Sequence, residues 1–220
     1  MVIAVQPCVG ILGAALLCLG VTSGPVDAQP LAALGPLDAA GEVTYFIATG
    51  APDSSSRTSD GQLAAWALDD WQRAAGGALT FVATDDEARA LVRVYWAEPS
   101  SGQYGEMRAL DVDGRRGAAV FIRPDTNALG SDIAERAAAD PLFRDTIVYL
   151  TCLHELGHAL GLGHTDRFED IMYFFGFGGD IGRYFERFRE QLQERSDIAM
   201  HSGLSTGDLG RLQDLYEVLR

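Results

Sequence analysis

Val43-Thr44-Tyr45-Phe46-Ile47 is a run of β-branched and aromatic residues and predicts a strand. A polar loop, Ala51 to Ser56, follows. Leu63, Trp66, Ala67, Trp71 and Ala74 then recur at helical spacing, behind a Ser59-x-x-Gln62 signature that predicts a capping box. Gly76-Gly77 should stop that helix. Leu79 to Ala83 and Leu91 to Trp96 predict two more strands, and Pro99 to Gly105 a loop. Glu106 to Val112 and Gly117 to Arg123 flank Asp113-Gly114, the signal of a tight hairpin. Leu142 to Leu162 is a long apolar helix. Ile181, Tyr184, Phe185, Phe188 and Leu192 mark an amphipathic helix behind the glycine- and aromatic-rich Phe174 to Gly179. Ser205-x-x-Asp208 caps a last helix carrying Leu209, Leu212, Leu215, Tyr216 and Leu219. No internal repeat is visible.

The first residues break this pattern. Val9 to Val21 is almost wholly apolar, Thr22-Ser23-Gly24-Pro25 interrupts it, and Val26-Asp27-Ala28 has the small-x-small form of a cleavage site. Residues 1–28 are read as a signal peptide, with a retained membrane anchor as the alternative; the apolar run is short of a span of roughly 20 residues. Residues 29–40 are rich in Pro, Ala and Gly and read as a linker or arm, too short for a folded prodomain. Residues 41–220 then form one domain. The net charge of −14, from 31 acidic residues against 17 basic ones, argues against nucleic acid or an anionic membrane as partner. Cys8 and Cys18 fall in the signal segment, which leaves Cys152 alone and excludes an intrachain disulfide in the mature chain.

The candidate chemistry sits at the end of the long helix. The chain has four histidines, and three lie in His154-Glu155-Leu156-Gly157-His158-Ala159-Leu160-Gly161-Leu162-Gly163-His164, which fits H-E-x-x-H-x-x-G-x-x-H. Residues four apart share a helix face, so His154 and His158 can aim at one ion. A continuous helix would carry His164 about 9 Å past His158. A turn at Gly161, where positive φ costs nothing, would swing it back as the third ligand. Three neutral imidazoles with one open position suit a catalytic Zn2+, with Glu155 placed as general base. Cys152 lies about 200° around the helix from His154 and reads as a buried hydrophobe. His201 reads as a surface residue. Asp111 and Asp113 in the hairpin turn are weak candidates for Ca2+.

This extended motif resembles the metzincin clan of zinc endopeptidases. Asp170-Ile171-Met172-Tyr173, with Met172 eight residues after His164, is similar to the Met-turn of its matrixin branch, where the methionine packs and does not ligate. The order of elements over residues 41–220 is also similar to a matrixin catalytic domain, and Gly203 to Asp208 resembles the start of its C-terminal helix; only 154–173 carries specific motifs. The resemblance implies an α+β fold, a metzincin (zincin-like) catalytic domain with a twisted mixed β-sheet, a long helix, a zinc-site helix, and a mostly irregular and helical C-terminal subdomain. It implies an edge strand near Met107–Asp111 that pairs with an extended peptide. The chain departs from the pattern in several places. Thr165 follows the third histidine. Phe174 stands two positions after Met172, where the astacin branch has a tyrosine able to touch zinc. No histidine precedes His154, so a second, structural zinc site is not expected, and no cysteine-switch segment is present. The segment 174–202 is longer than the resemblance implies; it either walls the pocket or packs on the surface. Asp38 is either an inhibitory carboxylate or an ordinary surface residue.

The expected function is a secreted or periplasmic zinc metalloendopeptidase acting on peptide or protein substrates, without nucleic acid and without membrane once the signal is cleaved. The alternatives are a zinc hydrolase for non-peptide amides and a zinc-binding adhesion or interaction module of the same fold.

Overall fold

In the computed structural model, residues 35–37 and 41–217 are described; residues 1–28, expected to be a signal peptide, residues 29–34 of the expected arm, Asp38 and Leu219 lie outside them. A five-stranded sheet runs in the order β2-β1-β3-β5-β4, built from β1 (Glu42–Ile47), β2 (Thr80–Ala83), β3 (Val92–Trp96), β4 (Gly105–Val112) and β5 (Arg115–Ile122). It is a mixed sheet. Strands β1, β2, β3 and β5 pair in parallel, and β4 returns antiparallel along β5 from Gly105↔Ile122 to Val112↔Arg115. The hairpin turn has φ of 54° at Asp113 and 77° at Gly114, the backbone that an Asp-Gly pair adopts at little cost. Asp111 Oδ1 accepts the Gly114 N–H at 2.9 Å.

Two helices pack on one face of the sheet: α1 (Asp60–Ala74) and α3 (Pro141–Leu160). Their contact is apolar, with Leu63, Ala67, Trp71, Ile147 and Leu153 all fully enclosed. It also carries specific polar ties. The Trp71 indole donates to the Leu153 carbonyl at 2.9 Å, and the Tyr149 hydroxyl to Asp70 at 2.9 Å. Arg144 makes a two-pronged pair with Asp60, and both are buried. Burial disfavours the charge on Arg144, but Asp60 overrides this and raises its pKa.

Three local expectations are corrected. Ser59 precedes α1, but its side chain makes no cap; the Asp60 carboxylate turns back to accept the Arg57 N–H at 2.8 Å. Residues 124–140 carried no assigned element, yet they form a short 3-10 turn (Thr126–Leu129) and α2 (Ser131–Ala139). That helix buries only Ala137, which leaves almost no apolar stripe to read. The long helix α3 ends at Leu160 rather than Leu162, because Gly161 takes φ 108° and closes the last turn through its N–H to the His158 carbonyl.

Beyond α3 the chain forms α4 (Ile181–Arg189), a 3-10 segment (Arg195–Ala199) and α5 (Thr206–Glu217). At α5 the expected capping box is present: Ser205 Oγ accepts the Asp208 N–H at 3.0 Å and Asp208 accepts the Ser205 N–H at 2.9 Å. Residues 35–37 also pack on the domain. Leu37 is buried, and its N–H donates to the Tyr216 hydroxyl, which in turn donates to the Leu160 carbonyl.

Candidate active site

His154, His158 and His164 converge. One nitrogen from each lies within 4.8 Å of the others, and theirs is the only such group found among the described residues. Helix α3 supplies the first two from one face, and the turn at Gly161 returns the third, as the spacing required. The rings meet nearly edge to face, at 88° for His154–His158 and 82° for His158–His164.

Second contacts decide which nitrogens face inward. His154 Nδ1 donates to the Ile171 carbonyl at 2.6 Å and His158 Nδ1 to the Leu162 carbonyl at 2.8 Å. Each Nε2 is then a bare lone pair, and His158 Nε2 lies 3.1 Å from His164 Nε2. Burial, reinforced by His158, lowers the His154 pKa to about 3. Burial, again with His158, lowers His164 to about 4, and burial lowers His158 as well. Two of the three neutral imidazoles thus have their lone pairs fixed on the inner side, and the third, His164, brings its Nε2 within hydrogen-bond reach of His158. The donor set fits a borderline-soft divalent ion such as Zn2+.

Glu155 lies beside this cluster, buried. Burial, then the charge of Glu106, raises its carboxyl to about 8. Its position depends on Gly105 at the start of β4, where a Cβ atom would overlap the carboxylate. Beneath α3, Met172 is fully enclosed, and Gly157 permits this because a Cβ there would overlap Met172 Sδ and sit 3.0 Å from the Trp71 ring. The turn carrying Met172 is pinned twice. Asp208 accepts from Ile171 N at 2.8 Å and from Met172 N at 3.4 Å. Thr165 N donates to the Met172 carbonyl and Phe174 N to the Thr165 carbonyl.

A cavity of about 450 Å³ opens onto the three histidines and Glu155. Glu106 and Met107 of the edge strand border it on one side, and Leu150 and Thr151 of α3 form its back. Ile181, Tyr184 and Phe185 of α4 close it, so the long segment after Met172 walls the cavity. Two of its hydroxyls are already occupied, since Tyr184 donates to the Asp170 carbonyl at 3.0 Å and Thr151 Oγ1 to the Ile147 carbonyl at 2.8 Å, whereas the Tyr104 hydroxyl, also in the lining, is buried without a partner. Tyr173 turns its hydroxyl to the Gly178 carbonyl at 3.0 Å, and Phe174 lies 4.8 Å from His164, ring to ring. Cys152 is fully buried and outside the cluster, and His201 is not part of it.

Several site residues carried no readable signal. Gly105, Leu129, Arg211 and the turn-pinning function of Asp208 depend on contacts between distant segments. Asp208 was legible only as a helix cap.

A mixed sheet, a buried H-E-x-x-H helix and a third histidine returned by a glycine turn define a metallopeptidase of the zincin type. The matrixin family model matches residues 38–177, and the chain belongs to that family. No curated protein matches the chain. Matrixins bind a catalytic zinc and act on peptide or protein substrates, and the three-histidine group is compatible with such a site. No helix among the described residues is long and apolar enough to cross a membrane.

Proposed function

We propose that this chain is an exported zinc-dependent endopeptidase in which His154, His158 and His164 hold the ion and Glu155 is the general base and acid. The observation that carries the reading is the pair of carbonyl locks on His154 and His158, which turn bare Nε2 atoms toward His164 while Glu155 is held alongside. When bound, zinc supplies a Lewis acid and a water acidic enough to lose its proton near neutral pH.

The protein's own groups account for the rest. Strand β4 is the sheet edge, so its outward N–H and C=O groups are available to an extended peptide. The apolar cavity walled by α4 accepts one substrate side chain and excludes water from the scissile bond. Glu155 takes the proton of the attacking water and returns it to the leaving amine nitrogen. Its raised pKa keeps the proton exchangeable near neutrality. Met172 packs beneath the helix and ligates nothing. Residues 1–28 direct export, and residues 41–220 are the catalytic domain.

The test is zinc content and cleavage of casein or a peptide library by the wild type and by Glu155→Gln. The expected result is equal zinc in both proteins and a loss of cleavage of about 10²–10⁴-fold in the variant. Equal cleavage by the two would remove Glu155 from the mechanism. Zinc bound without cleavage of any peptide by the wild type would favour an interaction module.

A further inference from the structure

A second depression, of about 390 Å³, adjoins the cluster on the far side of His164. It is lined by His164, Thr165, Asp166, Arg167, Phe177 and Arg211, and shares only His164 with the α4-walled cavity. Two aromatic rings divide the two spaces: Phe174 faces the first and Phe177 the second, 5.5 Å apart and edge to face. Phe177 is 58% exposed, one of three large apolar side chains left open among the described residues.

The polar atoms of this depression share one deficiency. Arg211 uses Nη2 on the Gly163 carbonyl at 2.5 Å, but its Nη1 is buried and has no partner. Thr165 Oγ1 is buried without a partner, and so is His164 Nδ1. The other two cluster histidines each have a carbonyl for Nδ1; His164 has none. With Nε2 of His164 committed to a cation, its Nδ1 must carry the hydrogen. The residues that carry these three unpartnered donors, Arg211, Thr165 and His164, therefore line one depression, in which Asp166 is the one acidic side chain. Buried donors of this kind are expected to be satisfied. The charge has the same sense. Arg167 and Arg211 face Asp166 alone, and neither arginine makes an ion pair among the described residues.

We propose that this depression is a second substrate subsite that takes an acidic side chain of the peptide. That residue lies across the scissile bond from the one entering the α4-walled cavity. The inference rests on the peptidase reading above. A carboxylate offers two acceptor oxygens, which match a guanidinium fork supplemented by a hydroxyl and an imidazole N–H. In a chain of net charge −14, a local positive site of this kind discriminates by charge rather than by general attraction.

The experiment uses the mature zinc-loaded protein and peptide pairs that differ only by Glu or Gln, with the substitution scanned along the substrate. At one position Glu should improve kcat/KM about tenfold over Gln, mainly through KM, equivalent to about 1.4 kcal/mol. The gain should shrink as salt is raised. Arg211→Gln should bring the Glu:Gln ratio to about 1, Arg211→Lys should retain part of it, and Arg167→Gln at the exposed rim should reduce it. The same peptides titrated against Glu155→Gln by fluorescence polarisation read the preference without turnover. A ratio near 1 at every position in the wild type, or one unchanged in Arg211→Gln, overturns the subsite. Preferential binding of Glu peptides through Arg211 with no cleavage by the wild type would leave the subsite standing and overturn the peptidase reading alone.

Discussion

At the scale of single residues, the site is tuned by atoms that are missing as much as by those present. Gly105 lies where any side chain would displace the Glu155 carboxylate. Gly105→Ala should therefore retain zinc and lose cleavage by roughly 10²-fold, the usual penalty for a catalytic group moved by about 1 Å. Metal analysis beside steady-state kinetics checks this, and a variant with unchanged kcat would show that Glu155 does not need its present position. Gly157 has the same relation to Met172, and here the consequence is packing rather than chemistry. None of this was legible in the motif, which identifies Glu155 and the histidines by spacing but contains nothing about what lies against them.

At the scale of elements, the zinc helix is the best determined part of the fold. Asp140 caps its start by accepting from Leu142 N at 3.0 Å and Phe143 N at 3.1 Å. It also pairs with Arg189 of α4 at 2.8 Å, so one side chain joins the catalytic helix to the cavity wall. Burial alone would raise the Asp140 pKa, but Arg189 and the two backbone donors lower it overall. Its contribution is thus present above the ordinary carboxylate range and lost as the pH falls through its lowered value. Asp140→Ala should cost about 1–2 kcal/mol, read as a lower urea midpoint at neutral pH, with the gap to wild type closing in acid. The turn that closes this helix was readable from Gly161, while its start lies at Pro141, one residue before the expected Leu142. Helix α2 was not readable, because a short helix that buries one alanine has no periodic apolar face.

At the scale of the whole molecule, the cluster opposes folding until it is filled. In the metal-free protein the histidines are held neutral, so stability falls with acid as the unfolded chain takes up protons below 6.5; for His154 this continues to about 3. Glu155 acts in the opposite direction. Its pKa rises from 4.5 to about 8, so the folded state holds a proton that the unfolded chain has released, and stability declines as pH rises through that window. Between pH 6.5 and 8 the histidine effect fades while the glutamate effect continues, so the two oppose each other in the wild type. Glu155→Gln removes only the glutamate effect, so the Tm of metal-free wild type relative to that of the variant should fall from pH 6.5 to pH 8. Thermal melts of both proteins in chelator check this; a wild-type-minus-variant difference that does not change across that interval would show that Glu155 is not buried as a neutral acid. Adding zinc should raise Tm in both proteins, since a ligand at 1,000 times its Kd stabilises by about 4 kcal/mol.

The amino-acid sequence by itself determined whatever depends on neighbours a few residues apart. This covers two histidines on one helical face, a glycine that ends that helix, an Asp-Gly hairpin and the alternation of buried strands. Those features follow from backbone geometry, which is local. Tertiary structure alone decided how the site is tuned. Ile171 holds His154 across 17 positions, Asp208 holds the Met172 turn across 36, and Arg211 reaches Gly163 across 48. The depth of Glu155 and the closing of the cavity by α4 belong with these. Burial and hydrogen bonding between distant segments have no periodicity, so they exist only once the chain has packed.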